Sequence, residues 1–597
     1  MKQYDKNSLI GFVLMALILI VFNTFFFPDP TEIKPTPSTE KESNKNISIE
    51  KSESEKTSKF NTNTETETNY SSFLKTNIKE EIFQTIENEK IKVKISNKGG
   101  RIRSVILKEY KTSEGLPLDL FDSDSSRFNL QFTTGDYINT ADLYFLAKQV
   151  QNSVSMRLEF SKEQYIEYVY TLDDDYIVDF DINIVGMQDI IPSAVNYMNL
   201  EWQMKTPQTE KSKSNQDMYT GIQHQYTSDK EVDYLSFTST DKEKISARLN
   251  WVAFKQQFFS AIFIAKDGFN KPTYLTSVKS EGSRFIKDLS AKFELPYKHK
   301  INETLQFQFY FGPNHYNTLS AYNSGFEELI PLGWGIFGWV NQYLIIPIFD
   351  FLSKFGFNYG IIILLLTLII KLGLSPFTYK AFLSQAKMKV LKPEIDKINE
   401  KLKGKEPMKV QQETMALYRK AGVNPMGGCL PMLFQIPILF AMFQFFPASI
   451  ELRQKSFLWA DDLSTYDSIY DLGFEIPFYG DHISLFTLLM TISTLLYTRM
   501  NSSMATGQMA QMKWMMYLMP VMFLGFFNNY AAGLSYYYFL ANMFTFSQQY
   551  FMKRFIDEDA ILTQLEENKK KPAKPKSKFQ KKLEAMQKEH EKRLKRK

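Results

Sequence analysis

A chain of 597 residues with 44% hydrophobic residues is too long for one ordinary domain and too apolar to be disordered throughout. Its single cysteine, Cys429, excludes an intramolecular disulfide and sits among apolar residues, as a small buried hydrophobe would. A formal net charge of only +5 hides a local surplus, because residues 553–597 carry 16 Lys and Arg against 8 Asp and Glu, which points that tail at an anionic partner, lipid or RNA.

The 51 Phe and 25 Met crowd residues 9–27 and 334–552, so a membrane part is expected beside a soluble one. After a short N-terminus (1–8) with Lys2 and Lys6, residues 9–27 form an apolar run as long as a bilayer-spanning helix needs. The run ends in Phe25, Phe26, Phe27 and Pro28 and not in a small-residue cleavage site, so a retained anchor is predicted. Residues 28–79 are rich in Ser, Thr, Glu, Lys, Asn and Pro, and read as a disordered linker.

Between residues 80 and 330 the pattern becomes two-residue alternation. Val178, Phe180, Ile182 and Ile184 alternate with Asp179, Asp181 and Asn183; Leu305, Phe307, Phe309 and Phe311 alternate with Gln306, Gln308 and Tyr310. Such strands bury one face and wet the other, and with turn signals such as Asn97-Lys98-Gly99-Gly100 they predict an antiparallel β-sandwich. Residues 331–357 mix aromatics with Asn341, Gln342, Asp350 and Lys354, which suits a helix lying in the membrane interface. Five further spans are predicted at about 358–377, 428–447, 482–498, 514–530 and 534–552, making six with the first.

The segment 380–427 holds 11 Lys and Arg against 5 Asp and Glu, Arg499 and Lys513 bracket the next loop on that side, and the tail 553–597 is basic. The positive-inside rule places these in the cytoplasm, hence both termini inside and the β domain outside. Within 380–425, Leu391, Ile395, Ile398 and Leu402 make one apolar helical stripe, and Gly404 with Pro407 breaks it, so a helical hairpin with its tip at those residues is predicted. Either it packs on itself or its cations touch lipid headgroups or an incoming chain.

Enzyme chemistry has no foothold. The histidines His224, His299, His315, His482 and His590 have no metal-ligand spacing, and there is no phosphate-binding glycine loop or nucleophile elbow. No cofactor, metal or small-molecule substrate is therefore expected. The sharpest feature is Lys371 inside IIILLLTLIIKLGLSPF. A cation within a span usually faces a wet cavity or a partner, although near a helix end it can snorkel to the headgroups.

Four segments, AKMKVLKPEI (386–395), MALYRKAGVNPMGGCLPMLFQIPILFAMF (415–443), ELRQKSFLWADDLS (451–464) and AGLSYYYFLANMFTFSQQY (532–550), resemble the core of the YidC/Oxa/Alb membrane insertases. WVAFKQQFF (251–259) and YFGP (310–313) resemble the periplasmic domain of the Gram-negative YidC branch. The resemblance implies a five-helix core around a hydrophilic groove, in the inner membrane, that inserts, folds and helps assemble integral membrane proteins, alone or with the Sec translocon. Nascent membrane proteins, the ribosome, the Sec translocon and membrane lipids are the implied partners. The family's groove arginine matches Lys371, four residues after Thr367, which keeps the charge and loses the planar fork of donors. By the same matching Gln435, Tyr537, Tyr538 and Asn542 line the groove or contact substrate, and Lys387, Lys389 and Lys392 belong to the cytoplasmic hairpin. A transporter would instead show repeats about a midplane site, and a membrane-anchored chaperone would work through the β domain.

Overall fold

The computed structural model describes residues 80–121, 125–280, 282, 284–402, 407–424, 430–502 and 513–570. The N-terminus 1–8, the expected first span 9–27, the linker 28–79, Gly404 and the tail beyond residue 570 lie outside these residues.

The alternating segments assemble as predicted into antiparallel sheets. A nine-stranded sheet runs in the order Val232–Tyr234, Gly221–Tyr226, Leu249–Lys255, Phe259–Phe269, Asn302–Pro313, Ile177–Val185, Tyr165–Leu172, Ser153–Glu159, Leu146–Val150. A six-stranded sheet runs Asp241–Ile245, Thr273–Lys279, Phe285–Pro296, Tyr197–Pro207, Ser126–Thr133, Tyr137–Asn139, and the first four strands, Phe83–Glu87 to Pro117–Asp119, make a smaller one. The two large sheets interlock through aromatic rings: Trp202 stacks on Phe254 at 3.8 Å, Phe128 meets Phe180 edge-on at 5.4 Å, and Phe263 meets Phe293 at 5.6 Å. Edge-to-face and offset contacts add to the area such rings bury, which suits a core this rich in phenylalanine. The predicted turn at Asn97 to Gly100 has φ of 75° and 60° at Gly99 and Gly100, and a Cβ on Gly100 would lie 2.9 Å from the Tyr168 ring, so glycine is required there twice over.

One alternation fails. Tyr310, expected to face water, is fully buried against Tyr322 and Phe326 from the segment that follows the strand, and its hydroxyl donates to the Pro313 carbonyl at 2.7 Å. The strand end is covered on both faces, which local periodicity cannot announce.

The helical part comprises α1 (Tyr359–Val390), α2 (Lys392–Lys401), α3 (Pro407–Lys420), α4 (Leu430–Ala448), α5 (Leu485–Ser502), α6 (Lys513–Asn528), α7 (Ala532–Arg554) and α8 (Glu558–Lys570). α1 and the stretch Ile336–Ser353 are long and apolar enough to cross a membrane, while Phe434–Ala448, Leu485–Met500 and Trp514–Asn528 are shorter apolar helices. The 32 residues of α1 would extend about 48 Å, well beyond a bilayer core of about 30 Å, so the helix that holds the expected span 358–377 continues past it into the first hairpin arm. Lys387 and Lys389 fall in its last turn, where cations complement the helix dipole.

Pro407 opens α3 and so starts the second arm, as proline does at a helix N-terminus. The apolar stripe does not pack on its own hairpin alone. Leu391 and Ile395 are buried with Ala421 and Val423 and with Ile561 and Leu565 of α8. Lys569 pairs with Glu394, and Asn568 donates to the Ala421 carbonyl at 3.4 Å. The start of the basic tail is thus a helix that covers the hairpin.

At the end of α6, Asn528 is the knot. Its amide donates to the carbonyls of Tyr479 and His482 at 3.0 and 2.8 Å, and its carbonyl oxygen accepts from the Ser484 amide at 3.0 Å. Asn528→Ala is expected to leave the His482 carbonyl and the Ser484 amide without this partner, at about 1–3 kcal/mol each when water cannot reach them, while the Tyr479 carbonyl keeps its bond from Asn529. Thermal unfolding of the full chain in detergent should show a clear loss of Tm; an unchanged Tm would mean water replaces the amide.

Candidate functional site

Lys371 lies twelve residues into α1, about 18 Å along its axis, and is only 7% exposed. Its ammonium turns towards α7 and donates to Thr545 Oγ1 at 3.0 Å. One turn away, Gln548 Nε2 donates to the Lys371 carbonyl at 3.1 Å. Asn542, on the same face of α7, donates to Ser493 Oγ and Thr494 Oγ1 of α5 at 2.9 and 3.0 Å. The Tyr538 hydroxyl donates to the Leu439 carbonyl of α4 at 3.1 Å. Positions 538, 542, 545 and 548 recur at helical spacing, so α7 presents one polar stripe to three other helices.

Three further expected residues lie on α1, α4 and α7. Thr367 is buried four residues before Lys371, but its hydroxyl donates to the Ile363 carbonyl at 2.6 Å, the back-bond usual for threonine inside a helix. Tyr537 packs in the apolar cluster beside Phe446, with ring centroids 5.9 Å apart. Gln435 is half-buried on α4. Lys387 and Lys392 are half-buried and Lys389 exposed, on the hairpin side of α1 and α2 and away from the seam. Thr545, Ser493 and Thr494 were not anticipated; the spacing of polar residues along 538–548 was the signal for the first, and nothing in the sequence singles out the other two from ordinary helix hydroxyls.

A second polar centre joins the β domain to the helices. The turn after α4 carries Glu451, Leu452 and Arg453. Arg453 Nε donates to both carboxylate oxygens of Glu210, at 3.0 and 2.9 Å, and its Nη2 donates to the Lys111 carbonyl at 2.6 Å. Both side chains are buried. Burial pushes the Glu210 carboxyl above its usual range, and the Arg453 guanidinium opposes that shift. Gln454 donates to the Lys111 and Thr112 carbonyls at 3.0 and 2.9 Å, and Gln257 to the Pro447 carbonyl at 2.9 Å. Ala448 and Ile450 enter the hydrophobic core of the β domain itself. The two segments that stand out in the sequence, WVAFKQQFF and ELRQKS, therefore meet at one junction.

Comparison with known proteins agrees across the whole chain. The family described as 60Kd inner membrane protein matches residues 351–559, and the family described as YidC periplasmic domain matches residues 84–346. The chain is 41% identical to a membrane protein insertase YidC of Bacteroides fragilis, covering 98% of each, and 40% identical to that of Parabacteroides distasonis, covering 98% of this chain and 97% of the relative. A galactose 1-epimerase from Lactobacillus acidophilus aligns with 39% of this chain at 9% identity and a TM-score of 0.25, too low to bear on function. Matched end to end at this identity and by both domain families, the chain belongs to the YidC family of membrane protein insertases.

Proposed function

We propose that this chain inserts and helps fold nascent membrane proteins in the bacterial inner membrane, through a hydrophilic groove whose cation is Lys371. The observation that carries the reading is a lysine bonded inward to Thr545 on a polar stripe of α7. A charge at that depth costs about 2.5–3.5 kcal/mol. One hydrogen bond to a neutral hydroxyl returns about 0.5–1.5 kcal/mol. The difference favours a site where water, or the acidic tail of a substrate, meets the ammonium. Thr367, Gln435, Tyr537, Tyr538 and Asn542 would form its walls. The substrate's apolar helix would then leave sideways into lipid, driven by burial of apolar area.

In this reading six helices span the bilayer: 9–27, α1, α4, α5, α6 and α7. Residues 331–357 lie at the interface, both termini face the cytoplasm and the β domain faces the periplasm. The hairpin, with Lys387, Lys389 and Lys392 and its tip at Gly404, would meet lipid headgroups and incoming chains, and the Sec translocon would share some substrates. A photo-crosslinker at Gln435 or Tyr538 should capture a ribosome-arrested membrane protein in transit, while one at Phe523, on the exposed face of α6, should capture it only later. Equal and simultaneous capture at all three would remove the groove.

The tail 569–597 is proposed to aid docking of ribosomes, because clustered Lys and Arg release counterions from RNA phosphates. Deleting it should weaken ribosome binding and flatten its salt dependence, as measured by co-sedimentation; unchanged binding would leave anionic lipid as the tail's partner.

A further inference from the structure

Between α4 and α5 the chain makes a two-stranded hairpin, Tyr470–Ile476 and Gly480–Ile483. The turn closing it carries Pro477 and Phe478, with the Tyr479 amide donating to the Ile476 carbonyl at 3.0 Å. Phe478 has φ of 67°, a conformation suited to glycine or asparagine at the third position of such a turn and strained for a bulky side chain. Its side chain is 98% exposed. Phe474 is 63% exposed and Ile476 also lies open. A water-facing turn has no reason to hold a strained, naked phenylalanine, so the outlier calls for an apolar surrounding.

The tip is also fixed in place. The Tyr479 carbonyl accepts from Asn528 and Asn529 at 3.0 and 2.8 Å, and a Cβ on Gly525 would lie 2.8 Å from the Phe478 carbonyl. Gly525 is three residues inside the end of α6, so the tip folds back about 5 Å along that helix. There it continues the exposed apolar face made by Met522, Phe523 and Phe526. The charged residues of the hairpin, Asp471, Glu475 and Asp481, are acidic, which gives the tip no attraction for anionic headgroups.

We infer that this hairpin is a lipid anchor whose tip, Phe474 to Phe478, is buried in the outer half of the bilayer beside α6, by apolar insertion and not by charge. The anchor rests on the reading that α6 spans the membrane, and it would hold the α4–α5 connection, and with it the docked β domain, at a set height.

The test uses the full chain carrying Cys429→Ala, with single nitroxide labels at Phe478→Cys, Phe474→Cys, Met522→Cys and, as a water reference, Glu114→Cys. Proteins are reconstituted in phosphatidylethanolamine and phosphatidylglycerol vesicles, and collision with oxygen, which favours the bilayer, is compared with collision with a water-soluble nickel chelate. The expected oxygen-to-nickel ratio at 478 and 474 is close to that at 522 and several-fold above that at 114, and it does not change with salt. A ratio at 478 and 474 equal to that at 114, with 522 still in lipid, overturns the anchor alone. Protection of both from both reagents means that protein covers the tip and overturns the lipid assignment. An aqueous reading at 522 overturns the span and the anchor together.

Discussion

Lys371→Glu is expected to abolish insertion of a reporter whose translocated tail carries acidic residues, while Lys371→Arg keeps it near the wild-type level. The argument is electrostatic. At an effective dielectric of about 20 and a separation near 4 Å, opposite unit charges attract by about 4 kcal/mol, and reversal of one sign turns that attraction into repulsion. Even a quarter of this difference, about 1 to 2 kcal/mol, is a roughly tenfold effect on a rate. Lys371→Ala removes the attraction without adding repulsion, so its loss should be intermediate and should shrink as acidic residues are taken from the tail. Arginine stays charged under nearly any burial, and its guanidinium can still donate to Thr545. The measurement is insertion of reporters with no, one or two acidic residues in cells depleted of the wild-type protein. If all three variants insert every reporter equally, Lys371 is not the working cation, although the fold stands.

How much of this was legible in the sequence differs by link. Strand periodicity in the β domain was read well because one face of each strand is dry, as at Val178 to Ile184. It failed at Tyr310, where a later segment covers the second face. The apolar helices were located by composition, but the helix that holds the span 358–377 runs on to Val390, because Pro376 sits inside α1 without ending it. Lys371 stood out as a cation in an apolar run, whereas its partner Thr545 lies 174 residues away and is an ordinary helix hydroxyl until α1 and α7 are packed together. The cover that α8 gives the hairpin stripe was hidden for the same reason: Ile561 and Leu565 sit in a segment dominated by charge, and their partners lie far off in the chain. The ELR segment was recognisable only by resemblance. Its role as a junction depends on Glu210, which nothing local distinguishes from a surface carboxylate.

That junction carries the second large effect. Arg453→Ala should destabilise docking of the β domain by about 3–5 kcal/mol, since it takes the guanidinium from a buried carboxylate and leaves Glu210 its bond from the Thr209 hydroxyl. Glu210→Gln should cost less, because an amide can still accept from the guanidinium and leaves no buried anion, although it strands part of the charge on Arg453. The double replacement Arg453→Met with Glu210→Met should recover most of the loss, because buried ion pairs replaced as a whole by apolar groups are often neutral. Hydrogen exchange locates the effect: in Arg453→Ala it should quicken at residues 209–216 and at the turn 449–455, while the sandwich strands around Phe180 and Phe263 stay protected. If exchange rises across the sandwich as well, the pair supports the fold of the β domain and not its attachment. Insertion then separates the working parts. Should undocking leave reporter insertion intact, the helices suffice and the β domain serves as an accessory; should it abolish insertion while Lys371 remains in place, the height and tilt of α4 set by Arg453 are themselves part of the mechanism, because α4 accepts the Tyr538 bond and carries Gln435 on the same helix that ends in this turn.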